Sequence, residues 1–124
     1  MTNHNLDQCK EAMDSVKAVL QAKELAPSRE ALSQAARELK TVSPYNYDAW
    51  RLHADLLLNA LRQVLTRQMQ PDPAFTILAI PLTENDLRDA AEEALRQCAR
   101  FAASNEEAIK LVDEANNIRR VTWV

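Results

Sequence analysis

The side chains best suited to chemistry in this chain are two histidines, two cysteines and several clustered carboxylates. His53 has Asp48 five residues before it and Asp55 two after. A metal site on a helix needs ligands at i and i+4 on one face, and Ala49, Trp50 and Leu57 fill those places instead. The expected His53 is a helix-face histidine satisfied by a hydrogen bond, and His4 lies near a terminus where fraying is common. Glu92, Glu93, Glu106, Glu107, Asp113 and Glu114 supply paired carboxylates, read as a solvated face with i,i+4 pairs such as Glu106–Lys110. No Ser-His-Asp or Cys-His set emerges from the residue order. Cys9 and Cys98 each fall on an apolar helix face, the pattern of buried free thiols in a reducing compartment. The expectation is a non-enzyme with no metal and no cofactor.

Asp113, Asn116 and Arg119 stand three apart and fall along one helix stripe. They read as a capping and salt-bridge row tying this helix end to a neighbour through Arg88 or Arg100, with direct ligand contact as the alternative. Tyr45, Tyr47, Trp50 and Trp123 carry most of the aromatic area. Trp50 reads as core. Tyr45 and Tyr47, at a turn, are candidates for a contact surface, because aromatic side chains supply much of the energy where proteins meet. Packing over the turn is the alternative.

These residues need elements to hold them, and the composition says which kind. The 124 residues, 47% hydrophobic and 27% charged, read as one soluble domain over 1–124. Glycine is absent. That excludes glycine-rich phosphate loops, whose backbone must approach the phosphates closely. It also favours helices over sheets joined by tight turns. The net charge of −3 argues against nucleic acid, which needs clustered lysine and arginine. The opening MTNHNLDQCKEAMDS has no basic segment followed by an apolar one, and no apolar run is long enough to span a bilayer. A cytoplasmic protein, away from the membrane, is expected.

The organising stretch is residues 75–118. An apolar connector feeds a helix capped by Thr83, with Asp86 three residues on, and a short turn leads to a helix capped by Ser104, with Glu107 in the same relation. Leu87, Ala90, Ala91, Ala94, Leu95, Cys98 and Ala102 form one face of the first helix. Ala108, Leu111, Val112, Ala115 and Ile118 form the face of the second. A link of about two residues makes an antiparallel hairpin.

Upstream, a helix from residue 5 or 6 to 25 carries a narrow stripe of Leu6, Cys9, Met13, Val16 and Leu20. Pro27 closes it, and Ser28 caps a helix over 29–40 with Leu32, Ala35, Ala36 and Leu39 inward. A third helix over 47–69 turns Trp50, Ala54, Leu57, Leu58, Leu61, Val64 and Leu65 inward and should be central. Between it and the capped pair, Pro71, Pro73 and Pro81 forbid a helix, while Phe75, Ile77, Leu78 and Ile80 are too apolar for a free loop. An extended segment folded on the helices is expected, with a short strand as the alternative. The fold class is all-α: antiparallel helical hairpins, about five helices, one extended apolar connector.

Two stretches resemble a known family. In LKTVSPYNYDAW, Pro44 is followed six residues later by Trp50 and then by the small Ala54, as at a tetratricopeptide boundary. His53 at an apolar site and the missing glycine depart from that repeat. From Ile77 the chain resembles the tetratricopeptide domain of the protein kinase G type of bacterial Ser/Thr kinase. The family's I-L-x-x-P-[FL]-T stretch is met by Ile77, Leu78, Pro81, Leu82 and Thr83. Its L-R and L-x-x-x-A-R elements are met by Leu87, Arg88, Leu95, Ala99 and Arg100. Its L-V-D-x-A-N-x-[VI]-R element is met by Leu111, Val112, Asp113, Ala115, Asn116, Ile118 and Arg119. The resemblance runs over residues 29–120, and the first helix stands outside it.

The resemblance implies a helical, non-catalytic interaction domain that accompanies a kinase domain and takes part in self-association. The chain lacks the kinase motifs, with no glycine-rich loop, V-A-I-K lysine, H-R-D or D-F-G. The family's rubredoxin-like cysteine pairs are missing as well. The 124 residues are a piece of a longer polypeptide or a free-standing relative, and Met1 leans to the second. The expected function is bacterial signalling by docking a protein partner, a Ser/Thr kinase or its substrate, or by forming a homodimer. The expected contact residues are Tyr45, Tyr47, Val16, Met13 and Trp123. The alternative is a small regulatory subunit that binds a metabolite between its helices. Val16→Glu should weaken a dimer by burying an unpaired charge, and an unchanged sedimentation profile would contradict it.

Overall fold

The computed structural model describes residues 29–39 and 47–120, together with Asp14 and Ala18. Leu32, Ala35, Ala36 and Leu39, spaced three and four apart, are all buried in the helix they define, α1 (Arg29–Leu39). The next helix, α2 (Tyr47–Leu65), is buried on more than one side, with Ala49, Leu52 and Leu56 on one stripe and Ala54, Leu57 and Leu61 on another. It takes the centre of the fold because α1, α3 and the second strand all pack on it. A two-stranded antiparallel hairpin follows, β1 (Asp72–Ile77) and β2 (Ile80–Leu82). The chain then forms α3 (Glu84–Arg100) and α4 (Asn105–Ile118).

The described residues are thus mostly helical, consistent with the all-α expectation, with a small sheet added. They hold four helices. The fifth expected helix, over 5–25, lies outside them apart from Asp14 and Ala18, which are helical, exposed and off the predicted stripe. Met13, Val16, Tyr45 and Trp123 also lie outside the described residues.

The extended connector is the main correction. Its two halves pair, with Ile77 opposite Ile80, Thr76 opposite Pro81 and Asp72 opposite Leu82. Pro73 and Pro81 are tolerated because each strand of a two-stranded sheet has an open edge. The Asp72 carboxylate accepts from the Ala74 amide at 3.0 Å, closing a turn at the strand start. Ile77 and Leu82 are fully buried and anchor the hairpin.

The helix ends follow their caps closely. Thr83 Oγ1 accepts from the Asp86 amide at 3.4 Å, and Ser104 Oγ from the Glu107 amide at 3.2 Å. The return arms differ from a standard capping box. The Asp86 carboxylate takes the Thr83 hydroxyl, because the Thr83 amide is already bonded to the Pro81 carbonyl at 2.8 Å. Glu107 takes the Ala103 amide at 3.3 Å. The link between α3 and α4 is longer than expected, spanning residues 101–104.

Helix α2 stops at Leu65, short of the expected Met69. Thr66 Oγ1 bonds back to the Arg62 carbonyl at 2.8 Å, Arg67 takes a left-handed φ of 62°, and the Met69 amide returns to the Gln63 carbonyl. Leu65, expected inward, is therefore 45% exposed at the helix end. Val112 is exposed too. In α4 the buried residues are Leu111 and Ala115, so the covered stripe is narrower than expected.

Candidate docking groove

Three elements separated in sequence build one groove. Helix α2 contributes Trp50, His53 and Leu57, which share a stripe at i, i+3 and i+7. Helix α3 contributes Ala90, Glu93 and Ala94. The hairpin contributes Leu78 and Ile80. The alanines keep the floor low between taller aromatic and aliphatic walls, leaving an open groove of about 320 Å³. A larger hollow of about 450 Å³ lies at the end of α2, but Arg67, Gln70 and Glu84 make its lining polar and it holds no aromatic side chain. A shallower depression of about 200 Å³ lies on α4 between Ala108, Ile109, Val112 and Asp113.

The wall at Leu78 is held by an unusual turn. Leu78 and Ala79 are the two central residues between the strands, with φ of 54° and 64°. Positive φ at both is the mark of a type I′ hairpin turn, whose twist suits paired strands and which normally takes Asn-Gly. A Cβ in this region costs about 1–2 kcal/mol per residue. The half-buried Leu78 side chain is set into the groove at the expense of that strain.

The electrostatics are simple. The His53 ring lies 5.4 Å from that of Trp50 at an interplanar angle of 45°. Burial lowers its pKa from 6.5, so it is neutral at neutral pH. The Glu93 carboxylate on the rim accepts from Gln97 Nε2 at 2.9 Å. None of the groove's lining residues is a lysine or arginine. The groove is suited to covering apolar side chains beside a single acidic rim. Among the described residues no group of three or more His, Cys, Asp or Glu side chains is placed to hold a metal. Cys98 is a buried free thiol, and burial pushes its pKa up to about 11.

The residues singled out in the sequence have other places. Pro81 lies in β2 and Thr83 caps α3. Tyr47 is half-buried at the start of α2, where burial and the hydrogen-bonded Glu107 carboxylate push its hydroxyl up to about 12. Asp113 and Arg119 are exposed on α4 and at its end. Neighbours of the expected stripe tie α4 down. Arg88 donates to the Ile118 carbonyl at 3.0 Å, and Arg96, rather than Arg100, donates to Asn116 at 2.9 Å. Arg120 Nε donates to Asp89 at 3.0 Å. Arg51 on α2 holds Glu114 at 3.1 and 3.3 Å and Asp55 at 2.7 Å. Burial opposes the Arg51 charge, but these two carboxylates raise its pKa.

The residue patterns missed the groove. Trp50 was expected in the core, against which it does pack while partly buried, His53 as a helix-face histidine satisfied by a hydrogen bond, and Glu93 as one of a set of carboxylates on a solvated face. The only signal was that Leu78 and Ile80 were too apolar for a free loop. Among the described residues no helix is long and apolar enough to cross a membrane.

No curated protein matches the chain. The family model described as protein kinase G tetratricopeptide repeat matches residues 7–122, taking in the N-terminal stretch that residue patterns alone left unplaced. With that match running through almost all of its 124 residues, the chain belongs to the protein kinase G tetratricopeptide repeat family, a non-catalytic repeat domain here without the kinase domain.

Proposed function

We propose that this domain docks a protein segment in the groove between α2, the hairpin and α3, and so serves as a scaffold in bacterial, cytoplasmic signalling. The partner is a Ser/Thr kinase or a kinase substrate. The observation that carries the reading is an apolar groove with an aromatic wall and a strained turn holding Leu78 in place. Membership of a family named for a kinase's interaction repeat supports the choice of partner. Covering one large apolar side chain is worth about 1.5–3 kcal/mol. Two or three such anchors, less the cost of ordering the segment, give a weak and reversible complex suited to signalling. The acidic rim at Glu93 sets the register by favouring a basic residue beside the anchors.

Site-specific photo-cross-linking tests this. A photoreactive residue at Glu93 should join the chain to a kinase or substrate peptide, and Leu78→Asn should abolish the adduct. Cross-linking from Ile109, on the far face of α4, with none from Glu93 would overturn the assignment.

A further inference from the structure

We infer that the groove reads an arginine of the docked segment, whose guanidinium lies over the Trp50 ring and donates to the Glu93 carboxylate and the His53 ring. The inference rests on the groove reading above and names the side chain that selects the partner.

Two observations carry it. The first is how the carboxylates of α3 are used. Glu84 is held by Arg88 at 3.1 Å and Glu92 by Arg96 at 2.6 Å. Asp89 is held by Arg120, and Asp86 takes the Thr83 hydroxyl. Glu93 differs. Its Oε1 accepts from the neutral Gln97 amide, and among the described residues no cation reaches it. Arg51, next to Trp50 in the sequence, is already shared between Asp55 and Glu114. The groove therefore holds one negative charge and no cation of its own.

The second is what lines the groove beside that charge. Trp50 and His53 are both partly buried, with their rings 5.4 Å apart. Among the described residues neither ring makes a hydrogen bond, and no fully buried side-chain polar atom lacks a partner. The indole N–H and the imidazole nitrogens are therefore accessible to an occupant. A neutral imidazole offers one acceptor nitrogen. Burial keeps His53 in that form at neutral pH, so it adds no charge to oppose a cation. The face of an indole attracts a cation through the ring quadrupole. A guanidinium suits this set better than an ammonium, because it is planar, weakly hydrated and carries five donors in a fixed fork. Its methylene stem can cover the apolar floor at Ala90 and Ala94.

The chain holds two tryptophans, so Trp123→Phe leaves Trp50 as the one indole signal in NMR spectra. The probes are the acetylated and amidated tripeptide Leu-Arg-Leu and its forms with lysine or citrulline at the centre. Citrulline keeps a planar end group without the charge. The arginine form should bind about three-fold more tightly than the lysine form and about ten-fold more tightly than the citrulline form. Glu93→Gln, an exposed change that can keep the Gln97 contact, should weaken the arginine form about ten-fold with the circular dichroism unchanged. Equal binding by the three peptides would overturn the inference and leave the groove reading standing. An indole signal that moves when the peptide-free protein is diluted would also overturn it, because a second copy would then be the occupant. An arginine preference whose affinity Leu78→Asn leaves untouched would support the arginine site and remove the groove reading. No shift from any of the three peptides would overturn both.

Discussion

The strained turn offers the sharpest test of how this chain divides its residues between stability and docking. Ala79 has a φ of 64°, where a Cβ costs about 1–2 kcal/mol. Glycine removes that cost but adds about 0.5–1 kcal/mol of unfolded-chain entropy. Ala79→Gly should therefore stabilise the fold by a net of about 0.5–1 kcal/mol. For a chain of this size, 1 kcal/mol corresponds to about 4 °C in Tm, so the expected rise is about 2–4 °C. Ala79 does not line the groove, so docking should be unaffected. Leu78→Asn relieves strain at the neighbouring position, with a φ of 54°, but removes an apolar wall. The strain relieved and the apolar burial lost by the half-buried Leu78 offset each other, so Tm should change little while docking weakens. Thermal melts beside a partner titration separate the two variants. A lower Tm for Ala79→Gly would refute the strain argument. Unchanged docking in Leu78→Asn would refute the idea that leucine is kept there for the groove.

Other consequences follow from the packing. Arg51→Ala should cost about 1 kcal/mol, since the ion pairs it loses, to Asp55 within α2 and to Glu114 on α4, are partly exposed, and the loss should shrink in high salt; urea midpoints at two ionic strengths measure it. Burial lowers the His53 pKa from 6.5, so the unfolded chain takes up a proton that the folded chain resists. Its effect on stability is nil well above pH 6.5 and grows as pH falls below that value. His53→Leu should flatten the fall in urea midpoint between about one unit above and one unit below; an unchanged slope would contradict the burial argument. Cys98, fully buried with its pKa pushed up to about 11, should resist a thiol reagent in a Cys9→Ser background and label only at the opening rate; rapid labelling would refute its burial.

How much was legible depended on whether a feature was local. Leu32, Ala35, Ala36 and Leu39 announced a helix and its buried face together, because one period controls both. Thr83 and Ser104 marked helix starts through hydroxyls that reach only three residues on. A short strand was the alternative, but the hairpin itself was hidden because Leu78-Ala79 carries none of the Asn-Gly chemistry that flags a type I′ turn. Here packing at Ile77 and Leu82 overrides the local preference. The groove was least visible, because Trp50, Leu78 and Ala90 meet only once three elements have assembled. The ties on α4 were half legible. Of the suspected stripe Asn116 is tied while Asp113 and Arg119 are exposed, and which arginine reaches Asn116 depends on how the two helices are set against each other.

Where a partner touches the domain decides between the groove and the exposed face of α4. Amide hydrogen exchange of the chain, free and with a cross-linked kinase or substrate peptide bound, reads this element by element. Slower exchange in the first half of α2, across the β1–β2 turn and in the first half of α3, with α4 unchanged, is the predicted result. Protection confined to α4, around Ile109 and Val112, with no change at Leu78 and Ile80, would contradict it.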